Sequence, residues 1–237
     1  MNLTTQQKNN INILIDRMNK KGITSKYAQA AVLAIVKKES NFIPQNENLN
    51  YSASRLVQIF PSRFPNLTTA SIFANKPEAI ANKVYGGRFG NGLNEGFKYR
   101  GRGYNQITFK DTYKSIGNKI GVDLVSNPDL LNTPIVAADA AIVYFLDRIK
   151  RLYPTLDVNK VTDLTQILNV FYNANAGAVN KHLKDVTGGY AKAKSVVNDI
   201  YKAIDNNKGT TGAGLFFLTL TIIAIAKRKK IKEILTK

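Results

Sequence analysis

The chain has 237 residues, of which 44% are hydrophobic and 21% charged; this fits one packed domain with an appendage and excludes a wholly disordered chain. Cysteine is absent and His182 is the single histidine, which excludes a disulfide scaffold, a thiolate or multi-histidine metal site and a cysteine nucleophile. The net charge of +18 favours an anionic partner: nucleic acid, an acidic membrane surface or the anionic polymers of a bacterial envelope. We expect no metal and no other cofactor.

Apolar periodicity and end signals predict a mainly helical body. A first helix follows from apolar residues spaced three and four apart: Ile11, Leu14, Ile15 and Met18. Ser25 begins a second helix, whose apolar face ends at Glu39, and Pro77 is placed as the first residue of another. The glycine-rich segment 86–103 follows neither a helical nor a strand period. Further helices are predicted over residues 108–120, 134–152, 163–171 and 189–204.

An apolar stretch lies near the C-terminus. Residues 210–226 (TTGAGLFFLTLTIIAIA) carry no charge over 17 positions, near the lower limit of the roughly 20 that span a bilayer. The basic cluster at 227–230 stands where a cytoplasmic anchor would place it. We therefore predict a folded domain over 1–206, then a linker, a transmembrane helix and a basic tail over 207–237. A buried terminal helix is the alternative. The polar N-terminus does not have the pattern of a signal peptide.

Two of the five glutamates, Glu39 and Glu47, lie eight residues apart. Glu39 ends an apolar helix face, where desolvation would raise the pKa of its carboxyl and suit it to general acid catalysis. Pro44 is expected to break the helix and leave Glu47 on a loop among Asn and Ser side chains, where it stays ionised and can act as a base. A general acid and a general base of this kind are the two catalytic groups of a glycoside hydrolase. The alternative is two ordinary surface glutamates.

Several short sequence segments support the interpretation of Glu39 and Glu47 as a catalytic pair. In chain order they are KKES-NF, ENLNYSA, KPEAIAN, YGGRFGNG, FKYRGRGYNQIT and NPDLL. Together they resemble the family 19 glycoside hydrolases, a chitinase-like group that includes many bacteriophage endolysins. The resemblance runs from Val32 to Phe145, and more loosely to Lys192, over about two thirds of the chain. It implies a lysozyme-like helical catalytic domain over 1–206 that hydrolyses β-1,4 bonds with inversion.

The resemblance also implies roles for individual residues. Glu39 matches the general acid that protonates the glycosidic oxygen, and Glu47 matches the base that activates water. In an inverting enzyme these carboxyls stand about 6.5–9.5 Å apart. Gln106 and Thr108 match residues that line the groove and hold sugar and water. The expected substrate-binding residues are Gln106, Thr108, Tyr99, Arg100, Tyr51 and Asn173.

Tyr51, Tyr99 and Tyr104 are the tyrosines expected to stack on sugar rings. Arg100 and Arg102 have an alternative structural role, in which they brace their loop on nearby carboxylates. His182 is expected to be an exposed helix residue without a catalytic role.

Four departures from the family pattern bear on the site. Lys38 replaces a His before the acid; it is expected to point to solvent, since an inward ammonium would lower the pKa of Glu39 and impair acid catalysis. Phe109 replaces a Gly or His, and Thr112 replaces a sugar-contacting Asn. Ala174 and Asn175 replace paired glycines. These changes leave the acid–base pair intact and alter the residues expected near the substrate.

The leading hypothesis is a phage-related, endolysin-like hydrolase that cleaves the peptidoglycan glycan. Its basic charge suits a wall coated with anionic polymers. A chitinase proper and a lytic transglycosylase are the enzymatic alternatives. A basic, membrane-associated virion protein that binds nucleic acid is the non-enzymatic one, although no specific nucleic acid partner is expected. The predicted anchor would hold the protein in a virion membrane or the host inner membrane, with its catalytic domain facing the wall.

Overall fold

The computed structural model describes residues 3–181 and 188–206. His182 and the predicted apolar helix over 210–226 lie outside these residues. Within them, no helix combines the length and the apolar character needed to cross a membrane. The chain divides into two compact units, one formed by Met1–Ile43 with Ala141–Lys237 and the other by Pro44–Ala140.

The described part of the chain is mainly helical, as predicted. Its strand-like pairing is limited to an isolated antiparallel bridge between Arg102 and Ile107, and a 3-10 helix covers Pro128–Asn132. The α-helices of the described residues are α1 (Thr5–Lys20), α2 (Lys26–Ser40), α3 (Ala53–Ile59), α4 (Leu67–Phe73), α5 (Pro77–Tyr85), α6 (Lys110–Ile120), α7 (Pro134–Leu152), α8 (Leu164–Ala176) and α9 (Gly189–Asp205).

The helices predicted from periodicity are confirmed, with shifted ends. Pro77 is the first residue of α5, and Ser25 is the N-cap of α2. The helix expected over 163–171 runs on to Ala176, and the one expected from 108 begins at Lys110. The two seven-residue helices α3 and α4 were not predicted, since they are too short to display a period.

In the first unit, α2 is the central helix and packs against α1, α8 and α9. Its middle, from Ala28 to Val36, is buried at every position. A helix that is apolar on all sides is stable only inside a core, so the small residues of AQAAVLAIV allow three neighbours to pack around it. The last turn of this core helix carries Glu39.

The C-terminal end of α2 is closed by side chains of α1. Asn41 and Phe42 adopt left-handed φ angles of 50° and 64°, which end the helix at Ser40. The Gln7 amide donates to the Asn41 carbonyl at 3.0 Å, and the buried Asn10 amide donates to the Phe42 carbonyl at 2.7 Å. The helix therefore ends before Pro44, and the expectation that proline breaks it is wrong.

In the second unit, the short helices α3, α4 and α5 surround one apolar cluster. Helices of seven to nine residues are not stable alone, so this shared burial holds them. The cluster is edged by partly buried aromatic residues, among them Tyr51 and Phe60. Its buried members are Leu49, Leu56, Phe64, Ala70, Ile80, Ala81 and Val84.

Candidate active site

Glu39 lies in the last turn of α2, with a side chain that is 19% exposed. Its Oε1 accepts two hydrogen bonds, from Lys38 Nζ at 2.8 Å and from Asn175 Nδ2 at 2.7 Å. Among the described residues of this unit, none donates to Oε2. The carboxyl is therefore oriented through one oxygen, which leaves the other free to carry a proton.

The expectation that Lys38 points to solvent is wrong. Its side chain is 23% exposed and pairs with Glu39. Gly189, the first residue of α9, lies so close that a Cβ there would be 2.0 Å from Lys38 Cε. Because α9 covers the lysine stem, the ammonium is directed along the protein surface to the neighbouring carboxylate. The expected apolar setting of Glu39 is thus replaced by two polar donors.

Glu47 is positioned by backbone pairing between two loops of the second unit. The Gly103 N–H donates to the Gln45 carbonyl at 3.1 Å, and the Glu47 N–H donates to the Gly101 carbonyl at 2.8 Å. This pairing turns the Glu47 carboxylate toward Tyr85, whose hydroxyl donates to Oε1 at 2.7 Å. The Gly101 N–H donates to Oε2 at 3.3 Å.

These donors differ from the expected Asn and Ser side chains. Asn48 bonds locally to the Asn50 N–H, and Ser52 bonds to Ser54. Glu47 instead accepts from the Tyr85 hydroxyl and the Gly101 N–H, one on each carboxylate oxygen.

The electrostatic effect of Glu47 is visible in the tyrosines near it. Burial first, and then the Glu47 carboxylate, raise the pKa of Tyr85 far above its usual value. The same two causes, in the same order, raise the pKa of Tyr51. Both phenols therefore stay protonated at every working pH, and Tyr85 acts as a permanent hydrogen-bond donor to Glu47.

Gly101 lies where no side chain fits. A Cβ at this position would be 2.8 Å from Gln106 Oε1 and 3.2 Å from Glu47 Cβ. The Gln106 amide donates to the carbonyls of Gln45 and Gly103 at 3.1 and 3.3 Å, and Thr108 Oγ1 donates to the Gln106 carbonyl at 2.9 Å. The structure thus brings Gln106 close to Glu47, while the sugar-binding roles of Gln106 and Thr108 stay predictions.

Three of the residues expected to contact the sugar substrate, two tyrosines and one asparagine, are buried. Tyr99 is fully buried, and its hydroxyl donates to the Val125 carbonyl. Tyr104 is fully buried as well. Asn173 is 2% exposed and donates to the Tyr153 hydroxyl at 2.7 Å. Each of these side chains completes the interior of its unit and presents no surface to a polymer.

Tyr51 alone of the three tyrosines is partly exposed. Its ring packs edge-on against Phe60 at 6.0 Å, on the margin of the apolar cluster. A sugar-stacking role for Tyr51 stays a prediction.

The structure separates the two arginines of the YRGRG segment. Arg102 is buried, and its Nε donates to Asp129 Oδ1 at 2.8 Å while NH1 donates to the Lys98 carbonyl and the Tyr113 hydroxyl. This is the structural alternative foreseen for it. Arg100 is half-buried, with its guanidinium 3.9 Å from the Phe97 ring centroid, and burial lowers its pKa.

Sequence reasoning assigned no role to Tyr85 or Asn175. Tyr85 is the first residue of the YGGRFGNG segment, but nothing in that segment indicates a hydrogen bond to Glu47. Asn175 was noted only as a replacement for glycine. The contacts of both residues depend on tertiary packing, which a single sequence does not display. Within the described ranges, no group of three or more His, Asp or Glu side chains could hold a metal ion.

Comparison with known proteins places the chain in a family. The sequence profile described as "Chitinase class I" matches residues 73–158. A "Glycosyl hydrolase family 19 domain-containing protein" from Haemophilus influenzae is 37% identical over 157 residues, which are 65% of this chain and 76% of that protein. The chain belongs to glycosyl hydrolase family 19. It is a glycoside hydrolase of the chitinase-like type.

More local similarity connects this family 19 protein with plant enzymes. A "Basic endochitinase" from Vitis vinifera is 46% identical over 50 residues, 21% of this chain and 16% of the plant protein. "Chitinase 8" from Oryza sativa is 43% identical over 47 residues, 20% and 18% of the two chains. A crystal structure of a chitinase C mutant covers 88% of this chain and 93% of its own, at 16% identity and a TM-score of 0.47.

Removal of the Asn175 amide should lower activity without unfolding the protein. We expect Asn175→Ala to reduce kcat about tenfold, because the Glu39 carboxyl loses the neutral donor that fixes its orientation. Lys38→Met should retain the rate, because Asn175 still holds Oε1. Rates on a soluble glycan, together with urea midpoints, measure both. An equal loss in the two variants would contradict this division of roles.

Tyr85→Phe should reduce kcat about tenfold, because Glu47 loses its strongest neutral donor. The ring would remain packed against Phe109 at 5.5 Å, so the urea midpoint should change little. Tyr104→Phe is the matched control. Its buried hydroxyl has no hydrogen-bond partner among the described residues, so its removal should be neutral or stabilise by up to about 1 kcal/mol. Equal activities of the two variants would argue against a role for Tyr85.

Proposed function

We propose that this family 19 protein hydrolyses the β-1,4 bonds of peptidoglycan glycan with inversion, using Glu39 as general acid and Glu47 as general base. The observation that carries this proposal is the way in which each carboxylate is held. Glu39 accepts both of its hydrogen bonds through Oε1, so Oε2 can hold the proton of a general acid, whereas Glu47 is oriented through both oxygens, as a base must be to accept a proton from water.

In the proposed reaction, Glu39 Oε2–H protonates the glycosidic oxygen as the bond from that oxygen to the anomeric carbon breaks. A water attacks the anomeric carbon from the opposite face of the ring, and Glu47 takes its proton. Tyr85 keeps its own proton throughout, because its pKa is raised by burial and by Glu47. The net change is the addition of one water across the glycosidic bond.

Charge supports a bacterial wall as the substrate. Residues 1–206 contain 27 basic and 15 acidic residues, a net charge of +12. Such a field attracts the enzyme to anionic wall polymers, whereas uncharged chitin offers no such attraction. The plant proteins to which the chain is similar are named chitinases, and chitin oligomers are therefore the necessary comparison substrate.

We also propose that residues 210–226 anchor the enzyme in a membrane, as expected of a phage-type lysin that acts from a virion membrane or the host inner membrane. The support is the sequence: 17 uncharged residues are followed directly by four basic ones at 227–230. An anchor would hold the catalytic domain close to the wall.

Replacement of either carboxylate should abolish hydrolysis. We expect Glu39→Gln and Glu47→Gln each to lower kcat at least about a hundredfold, because acid and base contribute to the same step. The measurement is the release of reducing ends from purified peptidoglycan, with turbidity followed in parallel. Glu78→Gln, at the start of α5, is the matched control and should behave as wild type.

The other outcomes distinguish the alternatives. Activity that survives Glu47→Gln and yields anhydro-sugar ends would identify a transglycosylase. Hydrolysis of chitin oligomers but not of peptidoglycan would identify a chitinase. A folded wild-type protein that cleaves neither glycan, yet binds DNA with strong salt dependence, would support the non-enzymatic role.

Removal of the residues after Asn206 should release the protein from membranes. We expect the full chain to partition into liposomes and the truncated chain to stay in water, because the truncation removes the apolar segment. Flotation in a density gradient measures this. A full chain with 227–230 replaced by neutral residues controls for purely electrostatic attachment, and identical partitioning of full and truncated chains would refute the anchor.

A further inference from the structure

One exposed aromatic residue of the second unit stands out. Phe89, in the loop after α5, is 61% exposed and has a left-handed φ of 45°. Its ring packs against Phe109 at a centroid distance of 4.8 Å. Phe109 also has a left-handed φ, of 76°. Two neighbouring phenylalanines thus occupy a backbone region that favours glycine.

This conformation has an energetic cost. A bulky residue at positive φ is strained, and glycine would remove most of that strain. Strain of this kind is found at binding and catalytic sites. The exposure of the strained Phe89 ring therefore points to a binding role for its surface.

The loop that carries Phe89 is rigid. Asn91 is buried, and its amide donates to the Tyr85 carbonyl at 3.0 Å while its Oδ1 accepts from the Lys110 N–H at 2.9 Å. The Asp111 N–H donates to the Phe89 carbonyl at 3.2 Å. The loop is thus tied to the end of α5 and the start of α6, and the exposed ring is held in place before any ligand binds.

A chain of ring contacts connects this surface to the proposed base. Phe89 contacts Phe109, and Phe109 packs edge-on against Tyr85 at 5.5 Å. The Tyr85 hydroxyl donates to Glu47 at 2.7 Å. The Phe89 ring therefore lies two ring contacts from the tyrosine that holds the base.

We propose that the exposed ring of Phe89, supported edge-on by Phe109, is an aromatic platform on which a pyranose ring of the glycan chain stacks, at a binding subsite beyond the scissile bond. The proposal rests on the proposed function, because it assumes that the glycan reaches Glu47. The apolar face of a sugar ring covers an exposed aromatic ring, and its hydroxyls remain at the rim, where they find polar groups.

Arg88 lies over both rings. Its guanidinium carbon is 5.6 Å from the Phe89 centroid and 5.4 Å from the Phe109 centroid. Its NH1 donates to the Val84 carbonyl at 3.0 Å, which fixes the guanidinium there and leaves the exposed part of the Phe89 ring to a sugar. The remaining guanidinium N–H groups can donate to sugar hydroxyls or to a carboxylate of the wall polymer.

The test compares long and short substrates. For the full chain in detergent, Phe89→Ala should lower kcat/KM on polymeric peptidoglycan about five- to tenfold through KM, since the sugar loses its stacking surface. The rate on a substrate too short to reach the platform should not change. Phe89→Trp should retain polymer activity. Leu93→Ala, on the same loop and 79% exposed, is the matched control and should match wild type on both substrates.

Phe89→Gly separates binding from stability. It should lose polymer activity as Phe89→Ala does, without a drop in the urea midpoint, because glycine relieves the positive φ. An activity of Phe89→Ala or Phe89→Gly equal to wild type on the polymer would overturn the platform.

Sedimentation with insoluble peptidoglycan gives a readout that does not depend on catalysis. If the wild-type protein cleaves no glycan, the proposed function fails. Wild-type binding that is lost in Phe89→Ala but kept in Leu93→Ala would still support the platform. Equal binding by all three proteins would overturn it.

Discussion

The backbone pairing between residues 45–47 and 101–103 is the constraint on which the position of Glu47 depends. Residues 45–47 belong to no helix, and the paired segment lies in a glycine-rich loop. Their mutual hydrogen bonds fix the direction of Glu47, and the absence of a side chain at Gly101 lets the two segments approach. In this position Glu47 accepts a hydrogen bond from the Tyr85 hydroxyl. The Phe109 ring packs edge-on against Tyr85, and the Phe89 ring packs edge-on against Phe109.

A different principle fixes Glu39. The middle of its helix is buried on all sides, and the end of the helix is closed by side-chain amides of α1. The carboxyl itself is held by side chains, Lys38 and Asn175, that depart from the family pattern. Lys38 contributes a charged donor and Asn175 a neutral one, and both bond the same oxygen, Oε1.

Much of the fold could be predicted from the sequence, because long helices display their period. The ends of α2 and α5 illustrate the difference between local and tertiary signals. Pro77 marks the start of α5 by its fixed backbone angle. The end of α2, in contrast, depends on Asn10, more than thirty residues away, which bonds the Phe42 carbonyl. Local pattern therefore suggested Pro44, and tertiary contact decided otherwise.

The roles of Glu39 and Glu47 stay predictions, while the contacts of the aromatic and amide side chains could not be predicted from the sequence. Tyr99 and Asn173 belong to the recognised segments, and both are buried. A motif identifies a position but does not show which way its side chain points. Phe89 and Phe109 illustrate the reverse. The exposure of the Phe89 ring, which no pattern in the sequence displays, distinguishes it from Phe42, a core residue that also has a positive φ.

The proposed roles of Glu39 and Glu47 as an inverting acid–base pair can be tested on the reaction product. The most direct measurement is the configuration of the first product, followed by proton NMR during hydrolysis of a β-1,4-linked amino-sugar oligomer before mutarotation. An α-anomer formed first is the result this account predicts, because water attacks the face opposite the leaving group. A β-anomer formed first would demonstrate retention and contradict the assignment of Glu47 as base.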